Sequence, residues 1–146
     1  MTAVRALIVE DSALVLRELS SMLHETSGVE VVATSDTEGD ALKTMRVASG
    51  AYDLIVIDVF LKEGSGLRVL RDARVLQRQA RLVVLTNYAT LDVRKRCIGL
   101  GADRVFDKSK QLDEFIDYCC ALSRQDDGTS GSGADEGPAT VPADSA

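Results

Sequence analysis

The stretch Tyr52–Phe60, YDLIVIDVF, combines an unbroken apolar run with an aspartate at position 58, where the run ends. A continuous run of Leu, Ile and Val is typical of a strand that helices cover on both faces, as in a parallel sheet. A carboxylate at the carboxyl end of such a strand lies at the sheet edge where ligands bind in this architecture. The stretch therefore predicts both a fold class and the place to look for a functional site.

Four other apolar runs of strand length occur in the chain, and segments with helical spacing of apolar residues separate them. We predict strands at residues 4–9, 29–34, 53–57, 81–85 and 103–106. Strands that are joined through helices run parallel, because the chain must return to the same end of the sheet. The alternation predicts an α/β fold, a doubly wound sandwich around a five-stranded parallel sheet.

Composition divides the chain of 146 residues into a folded domain at 1–124 and an acidic tail at 125–146. The tail is rich in Gly and Ser, contains both prolines and loses all apolar periodicity, which is typical of disorder. It holds five of the 23 acidic residues and none of the 17 basic ones, so the domain carries 18 acids against 17 bases, or −1. Because there is no basic excess, we expect no direct binding to nucleic acid.

No apolar stretch approaches the roughly 20 residues that cross a bilayer, so no membrane insertion is expected. The first residues lack the basic start of a secretory signal, and we predict a cytoplasmic protein. The three cysteines, Cys97, Cys119 and Cys120, match no paired metal-ligand spacing. They are predicted to be reduced, structural thiols.

Polar residues follow four of the predicted strands: Glu10 and Asp11, then Asp58, Thr86 and Lys108. Since parallel strands end at one edge, these side chains are expected to converge. Clustered carboxylates raise one another's pKa unless a cation holds them, and ligands that are all oxygens suit Mg²⁺. A lysine and a threonine can hold phosphoryl oxygens, which leaves Asp58 as the nucleophile that attacks phosphorus.

Four motifs resemble, in order and spacing, those of the receiver domains of two-component response regulators, the stand-alone chemotaxis receiver in particular. They are VEDS (9–12), IVIDVFLKEGSGLRVL (55–70), VVLTNY (83–88) and GADRVFDKS (101–109). The resemblance covers residues 4–124 and implies a flavodoxin-like sheet of strand order 2-1-3-4-5. It implies a single-domain receiver that catalyses only its own phosphorylation and dephosphorylation and is not otherwise an enzyme.

By that resemblance, Asp58 accepts a phosphoryl group from a phosphohistidine on a sensor histidine kinase or a histidine phosphotransfer protein. Thr86 hydrogen-bonds the phosphoryl group and Lys108 pairs with it. The implied Mg²⁺ ligands are Asp11, Asp58 and the backbone carbonyl of Phe60, with Glu10 acting through a metal-bound water. Phosphorylation would change the surface of the fourth helix, fifth strand and fifth helix, which is the expected site for an unidentified downstream protein and a candidate homodimer face.

The chain departs from the family pattern at several positions. Val105 stands where the family has a switch aromatic, and Phe106 beside it is expected to point to the opposite face of the strand. Ser109 replaces a proline that usually follows a cis bond, which leaves the Lys108–Ser109 geometry open, and it is a candidate N-cap for the last helix. Lys62 replaces a frequent proline, which predicts a looser loop.

Phe60 and Tyr88 lie two residues after Asp58 and Thr86. Their bulk predicts restricted access of water to an acyl phosphate and slow self-dephosphorylation. The basic run Arg94–Arg96 on the fourth helix is read as a solvated face, with a partner-docking or dimer patch as the alternative.

Two alternative functions can be compared with the same residues. A small-molecule phosphatase with an aspartate nucleophile would require an acid two residues later, and Phe60 stands there. A pseudo-receiver that binds partners without phosphorylation remains an alternative because of Val105 and Ser109, although the acids, the threonine and the lysine are all present.

Overall fold

The structure, a computed structural model, describes residues 3–26 and 28–126 of the chain. The strands are β1 (Val4–Val9), β2 (Val29–Ser35), β3 (Leu54–Ile57), β4 (Arg81–Thr86) and β5 (Arg104–Asp107). The helices are α1 (Ala13–Thr26), α2 (Glu38–Val47), α3 (Gly66–Leu76), α4 (Leu91–Gly99) and α5 (Leu112–Asp126). All strand pairs are parallel and the order is β2-β1-β3-β4-β5, which confirms the predicted fold.

Helices cover both faces of the sheet, which explains why the central strands read as unbroken apolar runs. All four residues of β3 are buried, and alternate ones enter different cores. Ile55 and Ile57 pack with Leu70 of α3 in the core beneath α2, α3 and α4. Val56 packs with Phe115 of α5 in the core on the other face, beneath α1 and α5. The sheet is thus a rigid platform whose carboxyl edge is free to carry polar residues.

Adjacent residues of β5 point to opposite faces, as strand geometry predicts. Val105 lies in the core beneath α2, α3 and α4, whereas Phe106 lies in the core beneath α1 and α5. The Phe106 ring contacts Phe115 and Tyr118, at centroid distances of 5.8 and 5.9 Å. Phe106 therefore does not replace the aromatic that the family pattern places at position 105.

Hydroxyl side chains cap the N-termini of four helices. Each accepts a hydrogen bond from a backbone N–H group that has no partner within the helix. Ser12, Thr37, Ser65 and Thr90 accept from Val15, Asp40, Leu67 and Val93 respectively.

The prediction that Ser109 caps the last helix is wrong. Helix α5 begins at Leu112, three residues later, and the Ser109 hydroxyl donates to Asp107 Oδ1 at 2.7 Å. The Asp107 carboxylate also accepts the N–H groups of Ser109 and Lys110, because a charged acceptor is stronger than a hydroxyl. The described residues contain no cis peptide bond, so the Lys108–Ser109 bond is trans.

The predicted boundary between domain and tail, at residue 124, stays a prediction. Helix α5 continues to Asp126, and residues 127–146 lie outside the described part of the chain. Within residues 3–26 and 28–126, no helix combines the length and the apolar character that crossing a membrane requires.

Candidate functional site

Three strands of the sheet bring acidic and basic residues to its carboxyl edge. Glu10 follows β1 directly, Asp58 follows β3 and Lys108 follows β5. Sheet hydrogen bonds continue into these residues: the Asp58 N–H donates to the Val9 carbonyl at 3.0 Å, and the Lys108 N–H donates to the Thr86 carbonyl at 2.8 Å. Their backbones are therefore as firmly placed as the strands themselves.

The side chains of Glu10, Asp58 and Lys108 form one ionic cluster. Lys108 Nζ lies 2.6 Å from Glu10 Oε1 and 3.0 Å from Asp58 Oδ2. Exposure of the three side chains is 12% for the lysine and 4% and 11% for the carboxylates, so solvent screens the contacts weakly. The structure thus joins three of the predicted site residues, although Lys108 lies 98 residues after Glu10 and 50 residues after Asp58 in the sequence.

Burial and charge pairing compete within this cluster. Burial raises the pKa of Glu10 above its ordinary value of 4.5, although Lys108 acts in the opposite direction. For Lys108, burial alone would lower the pKa, but the hydrogen bond to Glu10 and the charge of Asp58 outweigh it and raise the pKa above 10.5. Lys108 is therefore protonated at neutral pH, and its positive charge stabilises the buried carboxylates.

The orientation of Asp58 is held from two directions. Its Oδ2 faces Lys108, and its Oδ1 accepts the Phe60 N–H at 3.2 Å. Gly66, the first residue of α3, packs directly on the strand end, where an added Cβ would collide with the Asp58 carbonyl oxygen. Only glycine allows α3 to start so close to the backbone of Asp58 and Val59.

Asp11 contacts the loop that follows β3 rather than the ionic cluster. Its Oδ2 accepts the Lys62 N–H at 2.6 Å. Glu38 of α2 holds the same loop, because its Oε1 accepts the Ser65 N–H at 2.9 Å and its N–H donates to the Glu63 carbonyl at 3.1 Å. These bonds restrain a loop that was expected to be looser for lack of a proline. Sequence reasoning missed Glu38, which no motif marks.

Thr86 ends β4 and is fully buried. Its Oγ1 accepts a hydrogen bond from the Tyr88 N–H at 3.3 Å. A hydroxyl that accepts one hydrogen bond can still donate another to a second oxygen. The hydroxyl is therefore in a suitable state to donate to an anionic ligand at the sheet edge.

Phe60 and Tyr88 form an aromatic pair beside the cluster. Their ring centroids are 4.9 Å apart at an angle of 74°, an edge-to-face arrangement. Both residues are exposed, at 51% and 60%, although each backbone N–H donates to a site residue. The pair joins the loops after β3 and β4 across the edge of the site. The sequence drew attention to each residue, but their contact is known only from the structure.

The donor set suits a hard cation. In the described ranges, no three His, Cys, Asp or Glu side chains are grouped so as to hold a metal ion. The predicted Mg²⁺ site requires less, namely two carboxylates and one backbone carbonyl, with the remaining positions filled by water. The carboxylates of Glu10, Asp11 and Asp58 outnumber the single ammonium of Lys108, which leaves a charge of −2. Oxygen donors with an excess of negative charge fit Mg²⁺.

The chain matches, over residues 6–119, the family model described as the response regulator receiver domain. The chain belongs to this family. Receiver domains of response regulators are signalling domains; they bind Mg²⁺ and interact with histidine kinases or histidine phosphotransfer proteins.

Among curated relatives, the cell cycle response regulator CtrA of Brucella ovis is 28% identical over 124 residues, which are 85% of this chain and 52% of the relative. The chain thus spans about half the length of the curated relatives it matches. A LuxR-family two-component response regulator from Aurantimonas sp. SI85-9A1 is 22% identical with a TM-score of 0.75, covering 84% of this chain and 86% of that one. A Burkholderia pseudomallei response regulator, crystallised with a phosphorylated aspartic acid, a calcium ion and citrate, is 21% identical with a TM-score of 0.70, covering 88% and 75%. At these identities, the two crystal structures support the fold alone.

Proposed function

We propose that the receiver domain accepts a phosphoryl group on Asp58 in a Mg²⁺-dependent reaction and signals by binding a protein partner in its phosphorylated state. The observation that carries this proposal is the buried contact of Lys108 with both Asp58 and Glu10, at 3.0 and 2.6 Å. A carboxylate that is held beside an ammonium at a rigid edge is oriented for attack, and the ammonium can neutralise an arriving phosphoryl oxygen.

In the proposed reaction, a carboxylate oxygen of Asp58 forms a bond to the phosphorus of a phosphohistidine. The bond from phosphorus to the imidazole nitrogen breaks, and the nitrogen keeps the electron pair. Lys108 then pairs with the new phosphoryl group, and the Thr86 hydroxyl donates a hydrogen bond to it. Asp11, Asp58 and the Phe60 carbonyl would hold Mg²⁺, with Glu10 reaching it through water. The bound ion would offset the negative charge of the phosphoryl oxygens.

A small phosphodonor such as acetyl phosphate tests the proposal. The chain is incubated with the donor and Mg²⁺, and intact mass spectrometry follows uptake. The wild type is expected to gain one phosphoryl group, whereas Asp58→Asn and the wild type in a chelator gain none. A wild type that stays unmodified under all conditions would favour the alternative, a pseudo-receiver that binds partners without phosphorylation.

The donor is proposed to be a sensor histidine kinase or a histidine phosphotransfer protein, and the cytoplasm, where such partners present phosphohistidine, is the proposed location. The face formed by α4, β5 and α5 is the proposed output surface, and it is also suited to two-fold pairing. Lys95 and Arg96 of α4 are exposed, as are Asp113, Glu114 and Asp117 of α5. Opposite charges on two parts of one face allow each copy to complement the other. Light scattering before and after phosphorylation tests this, and a mass that stays monomeric in both states would exclude the dimer.

A further inference from the structure

Arg94 does not lie on the exposed basic face that the sequence indicated. Its side chain is half-buried, whereas those of Lys95 and Arg96 are exposed. The Arg94 guanidinium donates three hydrogen bonds in different directions: from Nε to the Ala89 carbonyl at 3.0 Å, and from its two terminal nitrogens to the Val105 carbonyl at 3.0 Å and to Gln111 Oε1 at 2.6 Å. A planar fork of donors is well suited to fix three acceptors at once.

Two of these acceptors lie on the segments that carry predicted phosphoryl-binding residues. Ala89 lies three residues after Thr86, in the loop between β4 and α4. Gln111 closes the turn that contains Lys108, because its Oε1 also accepts the Asp107 N–H at 2.8 Å and its own N–H donates to the Asp107 carbonyl at 2.7 Å. Arg94 thus connects the loop after Thr86 to the turn around Lys108 through one side chain.

The third acceptor and the far end of the network extend toward α5. The Val105 carbonyl belongs to the position where family members carry a switch aromatic, and here Arg94 binds it. Gln111 Nε2 donates to Glu114 Oε1 at 2.9 Å, in the first turn of α5. The contacts therefore run from the loop after β4, across β5, to the start of α5, which is the proposed output face.

We propose that Arg94 is a positioning residue: it holds the segments that carry Thr86 and Lys108 in register and transmits a displacement of either to α5. The inference rests on the proposed function, because the displacement arises when a phosphoryl group draws the Thr86 hydroxyl and the Lys108 ammonium toward itself. The loop after Thr86 then moves with the Ala89 carbonyl. The rigid guanidinium passes that movement to Val105 and Gln111.

Nuclear magnetic resonance of the ¹⁵N-labelled chain tests the inference, with Mg²⁺ and beryllium fluoride as the stand-in for the phosphoryl group. Amide shifts of residues 59–60 report loading of the site, and those of residues 112–116 report the response of α5. In the wild type, both sets are expected to change on loading. In Arg94→Ala, the site amides still respond, but the α5 response falls by about threefold or more, since side-chain bonds to a charged donor contribute strongly to coupling.

Matched variants separate coupling from mere support of the fold. Arg46→Ala removes the same charge from an exposed position on α2, away from the proposed output face, and is expected to respond as the wild type does. Arg94→Lys keeps the charge without the fork, and is expected to recover less than half of the α5 response. The double variant Gln111→Glu with Glu114→Gln keeps the acceptor for Arg94 and exchanges donor and acceptor in the contact with α5, so it is expected to keep the coupling, whereas Gln111→Ala loses it. If Arg94→Ala does not fold, the comparison of Gln111→Ala with this double variant decides the question.

The possible outcomes separate this inference from the proposed function. An α5 response in Arg94→Ala equal to that of the wild type overturns the role of Arg94 and leaves the proposed function intact. The same holds if Gln111→Ala and the double variant Gln111→Glu with Glu114→Gln behave alike. A wild type that neither loads beryllium fluoride nor takes up phosphate overturns both.

Discussion

Replacing Lys108 by methionine probes the ionic cluster most sharply. The substitution keeps the length of the side chain but removes the ammonium that contacts Glu10 and Asp58. Because both carboxylates are about nine-tenths buried or more, they remain as uncompensated charges. Loss of one partner from a buried ion pair costs about 3 kcal/mol of unfolding free energy. For a domain of this size the melting temperature should fall by about 12 °C.

The loss should depend on pH with a definite sign. Burial already raises the pKa of Glu10 in the folded protein, and removing Lys108 takes away the interaction that lowers it. A carboxyl group whose pKa is higher in the folded than in the unfolded protein stabilises the fold at pH values below its unfolded pKa. That stabilisation is lost as the pH rises through the folded pKa. The penalty of Lys108→Met should therefore be small near the ordinary glutamate value of 4.5 and full at about pH 8.

Urea unfolding, followed by far-ultraviolet circular dichroism in a chelator, measures both quantities. The matched control is the double variant Lys108→Met with Glu10→Gln, which removes one of the two stranded charges. It should recover a large part of the lost stability at about pH 8, because only one buried carboxylate then lacks a partner. If Lys108→Met is as stable as the wild type, or equally destabilised at both pH values, the proposed balance of burial and charge is wrong.

Further predictions concern a buried amide, an aromatic ring and the thiols. Gln77 is 1% exposed, and its side chain hydrogen-bonds two carbonyls and one N–H at the end of α2. Gln77→Leu should therefore lower the unfolding free energy by about 2–3 kcal/mol in the same urea assay, and an unchanged stability would show that these bonds are dispensable. Phe60→Asn should shorten the lifetime of the phosphorylated protein, as followed by intact mass over time, because it removes one ring of the aromatic pair; an unaltered lifetime would argue against restricted access of water. Burial raises the pKa of Cys97 to about 11 and that of Cys119 to about 12. Both thiols should therefore react with iodoacetamide at about pH 8 at least a hundredfold more slowly in the folded protein than in urea, and fast alkylation of the folded protein would contradict their burial.

Position along the strands was sufficient to predict much of the site. The apolar runs placed each strand within one residue of its observed start and end. Since parallel topology brings strand ends to one edge, Glu10, Asp58 and Lys108 were expected to meet, and they do. The partner oxygen of each donor could not be predicted from strand positions, because it depends on loop conformation. Asp11 thus contacts the Lys62 N–H rather than the lysine cluster.

Long side chains were the hardest to place from the sequence. Arg94 stands in a run of three basic residues, and charge patterning alone indicates a solvated face. A helical position fixes only where a side chain starts, and the Arg94 side chain extends back toward β5 and the loop after β4. Glu38 likewise reaches a loop 27 residues away, at Ser65. Ser109 was misassigned because a nearby carboxylate, Asp107, is the stronger acceptor in that turn.

The location of the phosphoryl group decides whether Asp58 is the acceptor. The chain is phosphorylated with acetyl phosphate and Mg²⁺, reduced with borohydride and digested, and the peptides are sequenced by mass spectrometry. Borohydride converts an aspartyl phosphate into homoserine, so we expect homoserine at position 58 and at no other acidic position. Homoserine at position 11, a reduced residue at position 10, or no reduced residue at all would contradict it.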